Sequence, residues 1–341
     1  MKAISMIKPG TVEVIDIVEP TIGPEDVLIE LHYVGLCGSD LNAYRGQSPM
    51  VTYPRIPGHE VAGVVIAKGK NVPERVIVGS KVTVSPYTNC GQCPACRAGR
   101  INTCQFNQTL GVQRDGALAE LIAIPYQKVY SSSLLSLQEL ALVEPMSVGY
   151  HAANRGRVNE IDVVLVFGCG AIGLGAIAAS ACKGAHVIAV DVDENKLSIA
   201  GRLGAQTTIN STHEDLKAKV SDLTNGEGAS VAIEAVGLPA TYRSAIELVS
   251  FAGRVVYIGY AKEDVLFTTK LIVSKELDVS GSRNALHVFP SVIRMFESRE
   301  RPFTELITQV AAFTETGRAL SDWDRNPAKT TKILVQMPAV V

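Results

Sequence analysis

The chain has 341 residues, of which 47% are hydrophobic and 19% are charged, and its formal net charge is −2. This length exceeds one average domain, so we expect two, and the near-neutral charge without a basic stripe argues against a nucleic-acid partner. No apolar run reaches the length of a membrane span and the N-terminal residues lack a signal-peptide core, so we expect a cytoplasmic protein without a membrane partner. Its seven cysteines are then expected to be thiols or metal ligands rather than disulfides.

The first 35 or so residues alternate in the manner of antiparallel strands, most clearly over residues 25–34. No helical period interrupts them, so a β-rich first domain is expected. Cys37, and then His59 and Glu60, follow this region and offer the sulfur, nitrogen and oxygen ligands of a catalytic zinc site. A lone cysteine is usually a small buried hydrophobe and a lone histidine a satisfied one. Spacing alone leaves both interpretations open.

Four cysteines lie close together with the spacing C-x2-C-x2-C-x7-C, at Cys90, Cys93, Cys96 and Cys104. Four thiolates among glycines, a proline and an asparagine suit a short loop wrapped around one tetrahedral zinc ion. Such a set has no open position for a substrate, so its role is expected to be structural. An iron–sulfur cluster is the chemical alternative, and a group of redox-active thiols is the other.

From about Met146 the pattern changes to alternating strands and helices, which predicts a parallel sheet of the doubly wound dinucleotide-binding kind. Glu144 and Pro145 come just before this change. A glutamate before proline predicts a helix start, or else a carboxylate that faces a metal. Strands are predicted at 163–167, 186–190, 206–209, 230–235, 254–258 and 277–280, and helices at 172–183, 194–203, 213–223 and 239–250. A helix at about 289–298 and strands at about 307–313 and 331–336 then return to the first domain.

The turn between the first of these strands and its helix carries three glycines in G-x-G-x-x-G spacing. Gly168 is expected to make the tight turn, Gly170 to let a pyrophosphate approach the backbone, and Gly173 to let the helix pack on the strand. Asp191 ends the next strand, where an acidic residue binds the ribose hydroxyls of NAD, although a plain turn residue is the structural alternative. The predicted dinucleotide-binding residues are Gly168, Gly170, Ala171, Ile172, Gly173 and Asp191.

Five motifs in one order along the chain together resemble the zinc-dependent medium-chain dehydrogenase family over essentially the full length. They are Gly35-Leu36-Cys37-Gly38-Ser39-Asp40, Gly58-His59-Glu60-Val61-Ala62-Gly63, the four-cysteine loop, Glu144-Pro145 and Gly168-Cys169-Gly170-Ala171-Ile172-Gly173. The resemblance implies an α/β protein with two domains. A GroES-like β-barrel catalytic domain, residues 1–146 and 287–341, is interrupted by a doubly wound Rossmann domain, residues 147–286.

The resemblance also implies roles for single residues at the catalytic zinc. Cys37 and His59 are expected to ligate the metal. Glu60 and Glu144 are expected to be its carboxylate neighbours, one binding directly while the other bonds through water or exchanges with it. Ser39 is expected to be the hydroxyl that passes the alcohol proton outward.

The residues that follow this serine depart from the family pattern at one position. Asp40 is expected to orient His59, as a carboxylate partner of a metal-bound imidazole does. Many family members have a histidine two residues after this aspartate, at the outer end of the proton relay. Here the residue is Asn42, which does not titrate near neutral pH. Water or another group then completes the relay, and Asn42 is not expected to be catalytic.

The expected function is a zinc-dependent, NAD-linked dehydrogenase with two zinc ions per chain, one catalytic and one structural. Its partner is a small-molecule alcohol, polyol or sugar acid, and analogy with the family implies a homodimer or homotetramer. The sequence leaves two alternatives open: an enzyme similar to L-threonine 3-dehydrogenase or a general alcohol dehydrogenase, and a non-catalytic dinucleotide-binding sensor or scaffold.

The substrate prediction depends on a narrower resemblance. The stretch 281–285 and the Tyr53-Pro54-Arg55 segment resemble the sorbitol, L-idonate and L-galactonate dehydrogenase branch, which implies oxidation of a secondary hydroxyl on a sugar acid or polyol. The carboxylate of a sugar acid needs a cation, ideally the planar fork of arginine. Candidates for this role are Arg45, Arg114 and Arg283. Solvated surface arginines, or a cofactor or subunit contact for Arg283, are the alternative.

Overall fold

The structure, a computed structural model, describes residues 1–338. Contacts between residues divide the chain into two compact units. The first contains residues 1–144, 289–297 and 304–338, and the second contains residues 145–288 and 298–303. The predicted first domain includes the short segment 298–303. It clusters instead with the second unit, where the Arg301 guanidinium lies 3.0 Å from the sulfur of Cys182.

Strands dominate the start of the first unit, as the alternating pattern predicts. They are β1 (Lys2–Lys8), β2 (Thr11–Asp16), β3 (Asp26–Leu36), β4 (Glu60–Lys68), β5 (Lys81–Val84), β6 (Leu121–Pro125) and β7 (Val129–Ser131). Strands β1 and β2 form a two-stranded sheet, whereas the long β3 pairs antiparallel with both β4 and β6. Alternate residues of β3, such as Val27, Ile29 and Leu31, are buried in the core of this unit.

Three helices follow or interrupt these strands: α1 (Gly38–Tyr44), α2 (Pro94–Arg97) and α3 (Leu137–Arg155). The prediction that Glu144 and Pro145 start a helix is wrong, because both lie inside α3. The helix begins instead after Ser136. The Ser136 hydroxyl accepts a hydrogen bond from the Glu139 backbone N–H at 3.2 Å, while the Glu139 carboxylate accepts one from the Ser136 N–H at 2.7 Å. This reciprocal cap was the better start signal in the sequence.

The second unit is a six-stranded parallel sheet with helices between its strands. Its strands are β8 (Val163–Phe167), β9 (His186–Asp191), β10 (Thr207–Asn210), β11 (Ala229–Glu234), β12 (Val249–Tyr257) and β13 (Asp278–Gly281). Its helices are α4 (Ala171–Cys182), α5 (Glu194–Arg202), α6 (Leu216–Leu223), α7 (Pro239–Leu248) and α8 (Thr269–Ser274). The strand order β10-β9-β8-β11-β12-β13 is that of the doubly wound dinucleotide fold, so the predicted fold class is confirmed.

The chain then returns to the first unit through α9 (Phe289–Glu297), β14 (Ile307–Ala312), α10 (Thr316–Arg325) and β15 (Lys332–Gln336). Strand β15 pairs antiparallel with β3, so residues about 300 positions apart become neighbours in one sheet. Helices α8 and α10 are absent from the sequence prediction. No helix of the described chain combines the length and the apolar character that a membrane crossing needs.

Candidate zinc and dinucleotide sites

The register of two strands brings Cys37, His59 and Glu60 together. Cys37 follows β3 and precedes α1, while His59 and Glu60 stand at the start of β4. Because Gly35 pairs with Glu60 across these antiparallel strands, the residues just beyond each pairing point face one another. One ligand atom from each of the three residues lies within 4.8 Å of the other two. A β-carbon at Gly35 would lie 2.0 Å from the Glu60 carboxylate, so only glycine leaves room there.

Asp40 supports this group by a route that differs from the expectation. Its carboxylate accepts hydrogen bonds from the backbone N–H of Cys37 at 2.8 Å and of Gly58 at 3.3 Å. It therefore fixes the backbone on which both Cys37 and His59 are carried. Burial lowers the pKa of His59, but Asp40, Cys37 and Glu144 together outweigh burial and hold that pKa well above its ordinary value.

The donor set fits a zinc ion. The Nδ1 atom of His59 is buried and has no hydrogen-bond partner among the described residues. A buried polar atom is normally bonded, so this nitrogen is available as a ligand. A thiolate, an imidazole and a carboxylate are the three ligand types of catalytic zinc, which keeps a fourth position for substrate.

Lys332, which the sequence analysis did not identify, balances the charge of Glu60. Its ammonium group donates to the two Glu60 carboxylate oxygens at 2.5 and 2.7 Å and to the carbonyl of Leu36 at 3.1 Å. Both side chains are almost fully buried. Burial lowers the pKa of Lys332, but Glu60, Cys37 and Glu144 together raise it by more, and the net shift is upward. The only sequence signal was a lysine at the head of an apolar strand.

Glu144 lies outside the group of three ligands in the described chain and has its own partner. Burial raises its pKa, and the Tyr87 hydroxyl donates a hydrogen bond to its carboxylate. Burial and then the Glu144 charge raise the pKa of Tyr87 well above the usual value for tyrosine, so it remains a donor. Tyr87 was not predicted as a site residue, because nothing in its local sequence pattern marks it.

The Ser39 side chain carries a hydroxyl two residues after the ligand candidate Cys37. Its oxygen is buried and has no hydrogen-bond partner within the described part of the chain. Ser39 and Asn42 lie in the same short helix, α1. This position suits the proton-passing role predicted for Ser39, because the hydroxyl is free to donate and accept.

The four cysteines form a second group of potential ligands. The sulfurs of Cys90, Cys93, Cys96 and Cys104 lie within 4.8 Å of one another, and none is in a disulfide. Backbone N–H groups point at the sulfurs: that of Cys90 lies 3.3 Å from the sulfur of Cys104, and that of Cys93 lies 3.3 Å from the sulfur of Cys90. Hydrogen bonds from the backbone of Gln105 and Cys96 lower the pKa of Cys93 to about 6. A thiolate is the form that binds zinc.

The three glycines of the dinucleotide motif have different surroundings. Gly168 has a φ of +90°, and a β-carbon at Gly173 would lie 1.8 Å from the Gly168 carbonyl oxygen. These two positions need glycine for the protein's own fold. A β-carbon at Gly170 would meet no described atom within 4 Å. Since Gly170 is also the N-cap of α4, the open space there fits a phosphate at the helix N-terminus.

Asp191 ends β9 next to this turn. Its carboxylate accepts hydrogen bonds from the backbone N–H groups of Cys169 at 2.6 Å, Val192 at 2.7 Å and Asp193 at 3.1 Å. The side chain therefore connects the glycine turn to the loop after β9. Two carboxylate oxygens offer about four acceptor positions, so capacity remains for a ribose hydroxyl.

The three arginines proposed for the substrate have different environments. The Arg45 Nε atom lies 2.5 Å from the Asp324 carboxylate, so its charge is already balanced. Arg283 belongs to the second unit, between β13 and α9. The Nε atom of Arg114 is buried without a hydrogen-bond partner in the described residues. Arg114 is therefore the candidate whose guanidinium is least satisfied by the protein.

Two family models match the chain. The alcohol dehydrogenase GroES-like domain matches residues 23–133, and the zinc-binding dehydrogenase domain matches residues 171–298. An uncharacterised zinc-type alcohol dehydrogenase-like protein of Haemophilus influenzae is 36% identical, over 98% of each chain. L-galactonate-5-dehydrogenase of Escherichia coli is 34% identical over 78% of each chain. L-threonine 3-dehydrogenase of Pyrococcus horikoshii is 32% identical over 90% of each.

Solved structures have the same fold. An alcohol dehydrogenase from Escherichia coli in complex with NADH superposes with a TM-score of 0.91 and is 30% identical, with 98% of this chain and 99% of that chain covered. A protein from Sinorhizobium meliloti, described as a zinc-binding dehydrogenase and bound to NADP, has a TM-score of 0.90, 28% identity and 98% coverage of both chains.

Proposed function

We infer the function of this chain from its family, because the chain belongs to the zinc-type medium-chain alcohol and polyol dehydrogenases. It is an oxidoreductase that acts on an alcohol group. We propose that it uses zinc and NAD to oxidise a secondary hydroxyl of a polyol or sugar acid to a ketone. The grouping of Cys37, His59 and Glu60 within 4.8 Å carries this proposal. A cytoplasmic homodimer or homotetramer is proposed by analogy with the family alone.

Residues of the first unit have separate roles in the proposed reaction. Zinc, when bound, lowers the pKa of a coordinated hydroxyl and so favours loss of hydride from the adjacent carbon. Cys37, His59 and Glu60 would hold it, with Lys332 keeping the Glu60 carboxylate charge-balanced. The Ser39 hydroxyl accepts the alcohol proton and passes it outward through water, since Asn42 has no titratable group.

The remaining carboxylate and the cysteine loop have supporting roles. Tyr87 fixes Glu144 by a hydrogen bond, so that this carboxylate is oriented as a neighbour of the catalytic metal. The four cysteines would hold a second zinc with no open position, which makes it a structural ion. An iron–sulfur cluster is the alternative that metal analysis excludes or establishes directly.

The second unit supports NAD rather than NADP. Asp191 would accept hydrogen bonds from the ribose hydroxyls, and its negative charge would repel the 2′-phosphate of NADP. The loop after it contains Asp193 and Glu194 and no arginine. We expect a higher kcat/KM with NAD than with NADP. A higher kcat/KM with NADP would refute this assignment. Asp191→Ala should reduce the difference in kcat/KM between the two cofactors, whereas the exposed Asp222→Asn should leave that difference unchanged.

A substrate panel tests the proposal. Alditols, aldonic acids, L-threonine and short alcohols are offered with NAD to the zinc-loaded protein, and formation of the reduced cofactor is followed by absorbance. We expect turnover of an alditol or aldonic acid, which Cys37→Ser abolishes. Turnover of L-threonine alone would favour the threonine-dehydrogenase alternative. Dinucleotide binding with one zinc per chain and no turnover would favour a sensor or scaffold.

A further inference from the structure

Two cations of the first unit, Arg114 and Lys128, have no carboxylate partner in the described chain, although their neighbours do. The Arg55 guanidinium, for example, lies 3.0 Å from the carboxylate of Asp115, the residue that follows Arg114. Because Asp115 already pairs with Arg55, the acidic residue nearest to Arg114 in sequence has its charge balanced by another cation. Arg114 is left with a buried Nε atom that donates to no described group.

The turn that carries Arg114 is fixed against the chain that leads into His59. The backbone N–H of Gly116 donates to the Ile56 carbonyl at 2.7 Å, and that of Ala117 donates to the Gly58 carbonyl at 2.9 Å. The packing is close, because a β-carbon at Gly116 would lie 2.4 Å from the Pro57 carbonyl oxygen. Arg114 is therefore attached, through a rigid turn, to the segment immediately before a zinc-ligand candidate.

The backbone of Lys128 is fixed to the segment of the first unit that leads to Tyr87. Its carbonyl accepts a hydrogen bond from the Ser85 N–H at 2.8 Å, and Ser85 is two residues from Tyr87, whose hydroxyl bonds Glu144. Two residues of extended chain span about 7 Å. Among the described residues, the Lys128 ammonium donates only to the neutral side chain of Asn89, at 3.2 Å.

Both cations are partly buried. Burial lowers the pKa of Lys128, and the charge of Arg114 lowers it further. Burial also lowers the pKa of Arg114. Two half-buried like charges that repel each other, one with an unsatisfied donor, are unfavourable for the protein alone. An anion between them would remove both costs, and a guanidinium binds such an anion with two parallel hydrogen bonds.

We propose that Arg114 and Lys128 form an anion subsite, which binds the carboxylate or phosphate-ester end of a polyhydroxylated substrate whose hydroxyl is oxidised at the Cys37, His59 and Glu60 group. This inference rests on the proposed function and makes it more specific. It predicts that the enzyme prefers a charged substrate to a neutral polyol, and that residues of the first unit bind the charged end.

The test compares three substrate classes in the zinc-loaded enzyme with NAD: aldonic acids, the corresponding neutral alditols, and alditol phosphates. Arg114→Gln and Lys128→Met should each raise KM for the charged substrate about tenfold or more, since each removes a charge-assisted hydrogen bond. They should change kcat and the KM for the neutral alditol little. The charged class whose KM responds, carboxylate or phosphate ester, identifies the source of the anion.

Arg114→Lys keeps the charge without the planar fork, so its KM for the charged substrate should be intermediate. This variant also shows whether loss of folding explains the raised KM of Arg114→Gln. Lys70→Met, an exposed cation of the same unit, is the control and should match the wild type. Equal changes in KM for charged and neutral substrates, or no change in either, would overturn the anion subsite and leave the proposed dehydrogenase standing. Wild-type turnover of neutral alditols alone would also overturn it. Turnover of no class at all would refute both proposals.

Discussion

The two groups of potential zinc ligands in the first unit are built in opposite ways. The four cysteines span only residues 90–104, and the backbone of the same short loop donates the hydrogen bonds that their sulfurs accept. Cys37, His59 and Glu60 lie at or just beyond the ends of two strands, and the charge partner of Glu60 lies 272 residues further along the chain. The first group is complete within one loop, whereas the second exists only after the sheet has formed.

This difference in construction predicts a difference in consequence. A loop of 15 residues with little apolar core of its own depends on its metal for structure. The group of Cys37, His59 and Glu60 is supported by strand pairing and by the hydrogen bonds of Asp40, so we expect its geometry to depend little on the metal. Loss of zinc should therefore unfold the cysteine loop but leave the catalytic group assembled and inactive.

The largest effects are expected from replacing one cysteine in each group. Cys93→Ser should lower zinc content from two ions per chain to one and lower the melting temperature by about 10 °C, because a structural zinc contributes several kcal/mol to folding. Cys37→Ser should also lose one zinc but keep the wild-type melting temperature within about 2 °C and lose at least about 1,000-fold in kcat/KM. Metal analysis, calorimetric melting and steady-state kinetics measure these outcomes. Equal melting temperatures for the two variants would contradict the comparison.

A second large effect is expected from breaking the long-range ion pair between Lys332 and Glu60. Lys332→Met leaves the buried Glu60 carboxylate without its cation, which should cost about 3–5 kcal/mol of the free energy of unfolding. Urea unfolding of the metal-free protein measures this loss. The double variant Lys332→Met with Glu60→Gln removes both charges and should recover most of it. The exposed Lys329→Met is the matched control, and a loss of equal size there would show that the ion pair is not the cause.

These contrasts also explain how far the sequence could lead. The strand and helix pattern of the second unit and the cysteine spacing are local signals, so both were predictable from neighbouring residues. Lys332 and Tyr87 act on Glu60 and Glu144 across the fold, and no periodic pattern identifies such partners. Pro145 misled the prediction, because proline is tolerated inside α3 despite its missing N–H. Only the paired strands reveal that Gly35 is small because Glu60 packs against it.

The glycine turn of the second unit extends the comparison of the two zinc-ligand groups. It is a contiguous motif, and we expect it to bind NAD as well as to stabilise the fold. Gly173→Ala should destabilise the protein by about 1–3 kcal/mol, since its β-carbon would collide with the Gly168 carbonyl. Gly170→Ala should leave stability within about 0.5 kcal/mol, because its φ of −71° suits alanine and the space is open. It should nevertheless weaken NAD binding about tenfold or more, as titration calorimetry would measure. Unchanged NAD affinity in Gly170→Ala would mean that the open space does not receive the pyrophosphate.

The last effect is expected at Tyr87, whose hydroxyl donates one hydrogen bond to the Glu144 carboxylate. Tyr87→Phe removes the donor to the buried Glu144 carboxylate, and an unsatisfied buried group costs about 1–3 kcal/mol. If Glu144 is a neighbour of the catalytic zinc, part of this cost should appear as a fall of about 10-fold in affinity for the catalytic zinc. Tyr242→Phe is the matched control, because its hydroxyl donates to the backbone carbonyl of Gly259 in the second unit. It should lower stability by a similar amount and leave zinc affinity unchanged. Competition with a chelator separates the two variants, and equal zinc affinities would show that Tyr87 and Glu144 stabilise the first unit without acting on the metal.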